Sequence, residues 1–286
     1  MKKLELKKLE NASRLARIYS LMSIYSAKSG HPGGVLSCID LVVYLYIHRF
    51  KIKKLEQFKK INRDRLILSK GHSVPALYST LAVSKAIDYQ KILGLRKIDS
   101  LYQGHPCRVK TPWVEASTGS LGQGFSFALG QALALKHIKN NNKVFAILGD
   151  GEMQEGQIWE GLMFAAQHKL DNMISILDFN KLQSDDYNKN IINIEPLKNK
   201  IQSFNWNVIE INGHSFKEID KAVTKTYRNM KPSFIIAHTI KGKGVSFMEN
   251  RPLWHGSVKM TNDQIKSSLK ELGASKNIIN DCVNYE

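Results

Sequence analysis

Five short apolar runs, "RLILS", "KVFAILG", "NMISILDF", "WNVIEI" and "SFIIAHT", alternate along the 286-residue chain with segments of helical periodicity. Strands that are apolar on both faces must be covered on both, and a helix between successive strands carries the chain over in a right-handed crossover to a parallel neighbour. The predicted class is therefore α/β, a mostly parallel sheet with helices on both faces. Helices are expected near 11–28, 34–48, 74–86, 122–139, 157–168 and 215–229. No repeat, low-complexity stretch or Gly/Ser/Pro linker interrupts the pattern, so a single domain over 1–286 is expected, and 43% hydrophobic residues suffice for a sizeable core.

The opening "MKKLELKKLE" carries charge with no apolar region behind it, and "LSCIDLVVYLYI" falls short of the roughly 20 apolar residues that a membrane span needs. No membrane association is expected. Cys38, Cys107 and Cys282 form no CxxC pair and cannot all pair with one another, which points to a reducing cytoplasm. The formal net charge of +17 suggests nucleic acid, but the lysines are scattered and not interleaved with stacking aromatics. Nucleic acid is not the expected partner, whereas anionic substrates would benefit from the field.

In parallel sheets ligands bind outside the carboxyl ends of the strands. The stretch "VFAILGDGEMQEGQIWEG" puts Asp150 at such an end, between Gly149 and Gly151 and just before a helix. The glycines allow a sharp turn and a close approach, and the helix start offers unpaired N–H groups to an anion. A carboxylate beside a phosphate then requires a cation between them. Gly-Asp-Gly is also an ordinary turn tripeptide, so it does not decide the matter alone. The next strand end, "ILDFNKLQ", supplies Asn180, 30 residues after Asp150, whose amide oxygen is a second hard ligand for magnesium or calcium.

Four histidines sit beside Gly or Pro in loop-like stretches: His31 in "KSGHPGG", His72 in "LSKGHSVPALY", His105 in "LYQGHPCR" and His255 in "PLWHGS". Any one alone would read as a solvated loop residue. No pair has zinc spacing, and the ligands already found are oxygens, so zinc is not expected. Imidazoles in such loops can donate or accept hydrogen bonds and move protons at neutral pH.

The Gly-Asp-Gly and the Asn 30 residues later resemble the signature of thiamine diphosphate enzymes. The four histidine motifs in this order, with "VEASTGSLGQGFSFALGQALA" and "AHTIKGKGVSFMEN", resemble transketolase over nearly the whole chain. The resemblance implies that Asp150, Asn180 and the backbone carbonyl of Leu182 hold the Mg2+ or Ca2+ that bridges the diphosphate of the cofactor, thiamine diphosphate. It places the turn Gly119, Ser120, Leu121, Gly122, running on to Gly124, near the diphosphate, with Gly151 in contact and His72 and His255 flanking. His31 and His105 would line the substrate channel, and all four histidines are the expected catalytic contributors. Glu155 looks like the family's buried acid near the subunit contact, although a first-turn helix carboxylate explains it equally well.

The implied activity is transfer of a two-carbon ketol unit from a ketose phosphate to an aldose phosphate, the cofactor supplying the electron sink. Past "KGKGVSFMENRPLWHGS" only one helix and a tail are expected, which leaves no room for the family's pyrimidine-binding domain. The chain thus resembles the N-terminal half of a split transketolase, whose separate C-terminal subunit carries that domain, in a two-fold assembly with two chains of each kind. Ser184 and Asp186 stand where the family usually has Ile and Gly, and Cys107 where an acid is common. These departures bear on cofactor packing and substrate preference. Two other readings remain: a thiamine diphosphate-binding subunit of deoxyxylulose-phosphate synthase or 2-oxo acid dehydrogenase type, and a non-catalytic basic binding protein.

Overall fold

The computed structural model describes residues 1–285 and divides into two compact units. The chain crosses between them at 57/58, 71/72, 105/106 and 239/240, so no single boundary would register in the sequence as a linker.

The helical unit holds α1 (Lys3–Ser26), α2 (Pro32–Val43), α3 (Val74–Val83) and α4 (Tyr89–Ile92), and from residue 240 onward α10 (Asn262–Glu271) and α11 (Lys276–Val283). Helices α1, α2 and α3 pack on one another. The predicted helix 34–48 is α2 followed by a π-helical stretch, Tyr44–Arg49. Among these apolar helices lies a buried ion pair: Arg17 Nη1 and Nη2 donate to Asp40 Oδ1 and Oδ2 at 3.0 and 2.7 Å. Removing one partner strands a buried charge, so Asp40→Ala is expected to destabilise the chain by about 3–5 kcal/mol. Thermal melting followed by circular dichroism checks this, and an unchanged midpoint would remove the pair from the supports of the fold.

The other unit, Phe58–Gly71 with Pro106–Thr239, contains the sheet. Its strands are β1 (Arg65–Leu68), β2 (Val144–Gly149), β3 (Met173–Phe179), β4 (Asn207–Asn212) and β5 (Ser233–His238), all parallel, in the order β1-β2-β3-β5-β4. Each coincides with one of the five apolar runs to within a residue or two. β2 and β3 are buried along their whole length, which is why they read as unbroken apolar stretches, while the edge strand β4 is partly exposed. α5 (Gln123–His137) packs on β1, β2 and β3, and α6 (Gly156–Gln167) packs on α5. α7 (Asn188–Ile191) is a single turn, and α8 (Leu197–Ser203) and α9 (Phe216–Thr226) follow, both against β4. α9 buries Phe216, Ile219, Ala222, Val223 and Thr226 on one face, and the Ser215 side chain caps it by accepting from the Glu218 amide.

Two expectations are corrected. α1 begins at Lys3 and not near 11, because its first turns are charged and exposed and show no apolar stripe. After Gly256 there are two helices, not one: α10 stops at Gly273, whose φ of +71° suits glycine, and Ser275 caps α11. Among the described residues no helix is long and apolar enough to cross a membrane.

Candidate functional site

The register of the sheet unit pairs Gly149 with Asp178 and Phe179 with His238, so the carboxyl ends of β2, β3 and β5 lie side by side. Asp150, 3% exposed, follows β2. Its Oδ1 accepts from the Gly151 amide at 2.9 Å and its Oδ2 from the Lys181 amide. Asn180 follows β3, is buried, and folds its Oδ1 back onto the Leu182 amide at 3.1 Å. The loop then closes on itself. Lys181 takes a left-handed φ of 68°, Leu182 bridges Tyr187, and the Gln183 amide donates to the Asp186 carbonyl at 3.0 Å. Asp186 is not among the left-handed positions, so this loop does not need the glycine the family usually places there. Hydrogen bonds from Asn190 and then the Tyr187 amide hold the Asp186 carboxyl below its ordinary value.

Burial, reinforced by the nearby Asp178 charge, pushes the Asp150 carboxyl up to about 7. Lys70 and the amides of Lys181 and Gly151 oppose the shift without cancelling it. Behind Asp150 lies a network that sequence reasoning missed: Lys70 Nζ reaches Asp178 Oδ2 at 2.5 Å and Thr239 Oγ1 donates to Asp178 Oδ1 at 2.5 Å. The available signal was a charged residue at the end of each of two apolar runs, Lys70 after "RLILS" and Asp178 within "NMISILDF".

Glu155, expected to be buried, is exposed in this chain and precedes α6 without capping it. The buried acid of the segment is Glu152, 1% exposed, which accepts from Ser69 Oγ, from the Gly122 amide at 2.8 Å and from the Gly149 amide at 3.1 Å. It turns inward because the 3-10 turn Gly151–Gln154 aims it at three donors. Those bonds offset part of its desolvation, yet burial still raises its carboxyl. Glu152 thereby ties the turn Gly119, Ser120, Leu121, Gly122 to the ends of β1 and β2. Gly122, at φ +82°, starts α5, and a Cβ there would lie 2.7 Å from the Gln157 side chain.

In the helical unit, the ring centroids of His31 and His72 are 5.0 Å apart, those of His31 and His255 5.6 Å, and those of His72 and His255 5.4 Å. His31 precedes α2, His72 lies in a 3-10 turn before α3, and His255 ends the 3-10 turn Pro252–Trp254. Three loops distant in sequence thus converge, with the buried Lys241 beside His255. Among the described residues no ring contact joins His105 to these three; it is exposed on the surface of the same unit. Desolvation by its surroundings, and then the Arg96 charge, lower the pKa of its imidazolium.

A family model described as "Transketolase, thiamine diphosphate binding domain" matches residues 9–281. The chain is 37% identical over 270 residues to an apulose-4-phosphate transketolase subunit of Phocaeicola vulgatus, covering 94% of this chain and 93% of that one. It is 39% identical over 267 residues to the 6-deoxy-6-sulfo-D-fructose transketolase subunit SqwG of Clostridium sp., covering 92% and 96%. The crystal structure of Campylobacter jejuni transketolase superposes with a TM-score of 0.83 at 31% identity, over 99% of this chain and 46% of that one, so the chain spans about half the length of that solved enzyme. With this match over nearly its whole length, the chain belongs to the transketolase family, of which it carries the thiamine diphosphate binding domain.

Proposed function

We propose that the chain is the diphosphate-holding subunit of a two-chain transketolase, working with a separate subunit that carries the pyrimidine-binding domain. The pair transfers a two-carbon ketol unit from a ketose phosphate to an aldose phosphate, in the cytoplasm, as a two-fold assembly of two chains of each kind. Coverage of 93% and 96% of two relatives named as subunits supports the division into two chains, and the three free cysteines fit a reducing compartment. In those relatives' names the sugar carries a phosphate or a sulfo group, and a +17 chain favours such anions. The family match over 9–281 supports reading the two compact units as one diphosphate-binding domain.

The observation that carries the reading is the set of oxygen donors at the ends of β2 and β3. Among the described residues no three His, Cys, Asp or Glu side chains cluster as a metal cage, so a cation here takes mixed ligands. Asp150 Oδ, Asn180 Oδ1 and the Leu182 carbonyl are hard oxygens suited to Mg2+ or Ca2+, and the buried Asp150 carboxylate gains most from a cation because burial and Asp178 both penalise its charge. Bound thiamine diphosphate would supply the electron sink for the two-carbon unit. The chain's own share is to hold the diphosphate through the turn 119–122, Gly151 and the cation, and to set His31, His72 and His255 as hydrogen-bonding and proton-carrying groups. Glu155, exposed in the single chain, is left available for the contact between subunits. Titrating thiamine diphosphate into the assembled complex with and without a chelator tests the reading; binding indifferent to the chelator would exclude the bridging cation.

His105 is read as a substrate contact. His105→Ala is therefore expected to lower kcat or raise the substrate KM about tenfold or more while leaving thiamine diphosphate affinity near normal. His72→Ala should disturb both. Equal and negligible effects in steady-state kinetics would return both residues to the role of solvated loop histidines.

A further inference from the structure

Gly33 and Gly256 share one property: neither position has room for a side chain. A Cβ on Gly33 would come within 2.7 Å of the Trp254 carbonyl oxygen and 3.0 Å of Lys241 Cγ, and one on Gly256 would meet the His31 ring at 2.6 Å. The two glycines therefore let His31, the stem of Lys241 and the 252–256 turn close in on one another, and the three imidazoles gather around that point. Lys241 is 1% exposed, and its Nζ lies 2.8 Å from His255 Nδ1.

A lysine ammonium has three donors and no acceptor. The contact consequently has one sense: Lys241 donates and His255 Nδ1 accepts. A neutral imidazole whose Nδ1 accepts carries its proton on Nε2, whereas a doubly protonated ring would set two donors against each other at hydrogen-bond distance. Fixing one ring nitrogen in this way decides what the other offers, as outer partners do for metal-bound histidines.

We propose that Lys241 is a positioning residue that locks His255 in its neutral, Nε2-protonated form, so that the ring presents a fixed N–H donor to an anionic or hydroxyl oxygen of the bound ligand. The use of that donor rests on reading His255 as part of the cofactor and substrate site; the lock itself belongs to the free chain. Lys241, His31 and His72 face His255 within the unit. The two imidazoles each combine a donor and an acceptor when neutral, so it is Lys241 that imposes a direction.

The test is long-range proton–nitrogen correlation NMR on the nitrogen-15-labelled free chain near neutral pH, with the His255 signals identified by their loss in His255→Gln. The expected spectrum shows an unprotonated Nδ1 and a protonated Nε2. In Lys241→Met both tautomers should appear, and Lys241→Arg, which retains a cationic donor, should restore the single form. A proton on Nδ1 in the wild-type chain, or an unchanged single Nε2–H form in Lys241→Met, overturns the proposal. Because the wild-type spectrum needs no change at Lys241, a misfolded methionine variant still leaves it decisive. In the assembled complex Lys241→Met should weaken thiamine diphosphate binding about tenfold, with recovery in Lys241→Arg. A lock seen by NMR in a complex that transfers no ketol unit would keep the lock and remove the transketolase reading instead.

Discussion

Asp150→Ala and Asn180→Ala are each expected to weaken thiamine diphosphate binding to the assembled complex, at fixed Mg2+, by about tenfold to a hundredfold. The larger loss should come at Asp150, the only formal charge among the three proposed oxygen ligands. Calorimetric titration of the cofactor measures both, and unchanged affinity in both variants would end the metal assignment. A second readout separates function from fold. The Asp150 carboxyl, pushed up to about 7, lies above its unfolded value of about 3.9. Between those values the folded chain holds a proton that the unfolded chain has lost, so this group's contribution to stability falls as pH rises through the window and stays lowered above it. Without metal, Asp150→Asn should therefore melt higher than the wild type at about pH 8, by on the order of 5 °C, with the gap closing towards about pH 4. A residue whose neutralisation stabilises the empty chain while weakening cofactor binding is held charged for its ligand. Equal melting of the two proteins at both pH values would show that Asp150 carries no such strain.

Mixing this chain with its cognate second subunit should restore ketol transfer from a rate at least about a thousandfold lower for either chain alone, with a saturable one-to-one dependence. The reason lies in what the proposed chemistry demands. On the proposed assignment the oxygens of Asp150, Asn180 and Leu182 and the turn 119–122 hold the diphosphate end, and the second subunit would supply the acid for the aminopyrimidine end. The assay couples ketose consumption to aldose release for this chain, the partner and the mixture, each with thiamine diphosphate and Mg2+. Full turnover by this chain alone would overturn the two-chain reading. Silence of a verified mixture across a broad set of sugar phosphates would leave the non-catalytic basic protein as the better account of a chain with a net charge of +17.

The class of the fold was legible because β2 and β3 are buried from end to end, which forces them to be apolar at nearly every position. The short helices were not: α4, α7 and α8 are four to seven residues long, too few turns for a helical period to emerge. Asp150 and Asn180 were legible for a local reason. Each directly follows a strand, and parallel strands bring their carboxyl ends to the same edge, so both residues are expected at that edge; that β2 and β3 are also neighbours comes from the order β1-β2-β3-β5-β4.

By itself the sequence determined the alternation of strand and helix and the residue types at the carboxyl edge of the sheet, since these depend on periodicity and on immediate neighbours. Only the tertiary structure decided which charges meet. Lys70, Asp178 and Thr239 come from three different strand ends, and their pairing follows from the order β1-β2-β3-β5-β4, which no local pattern encodes. The inward turn of Glu152 in place of Glu155, and the approach of Lys241 to His255 through space left by Gly33 and Gly256, arise in the same way. A hydrogen bond acts over about 3 Å, and residues separated by tens or hundreds of positions come that close only when the packing of whole elements brings them there.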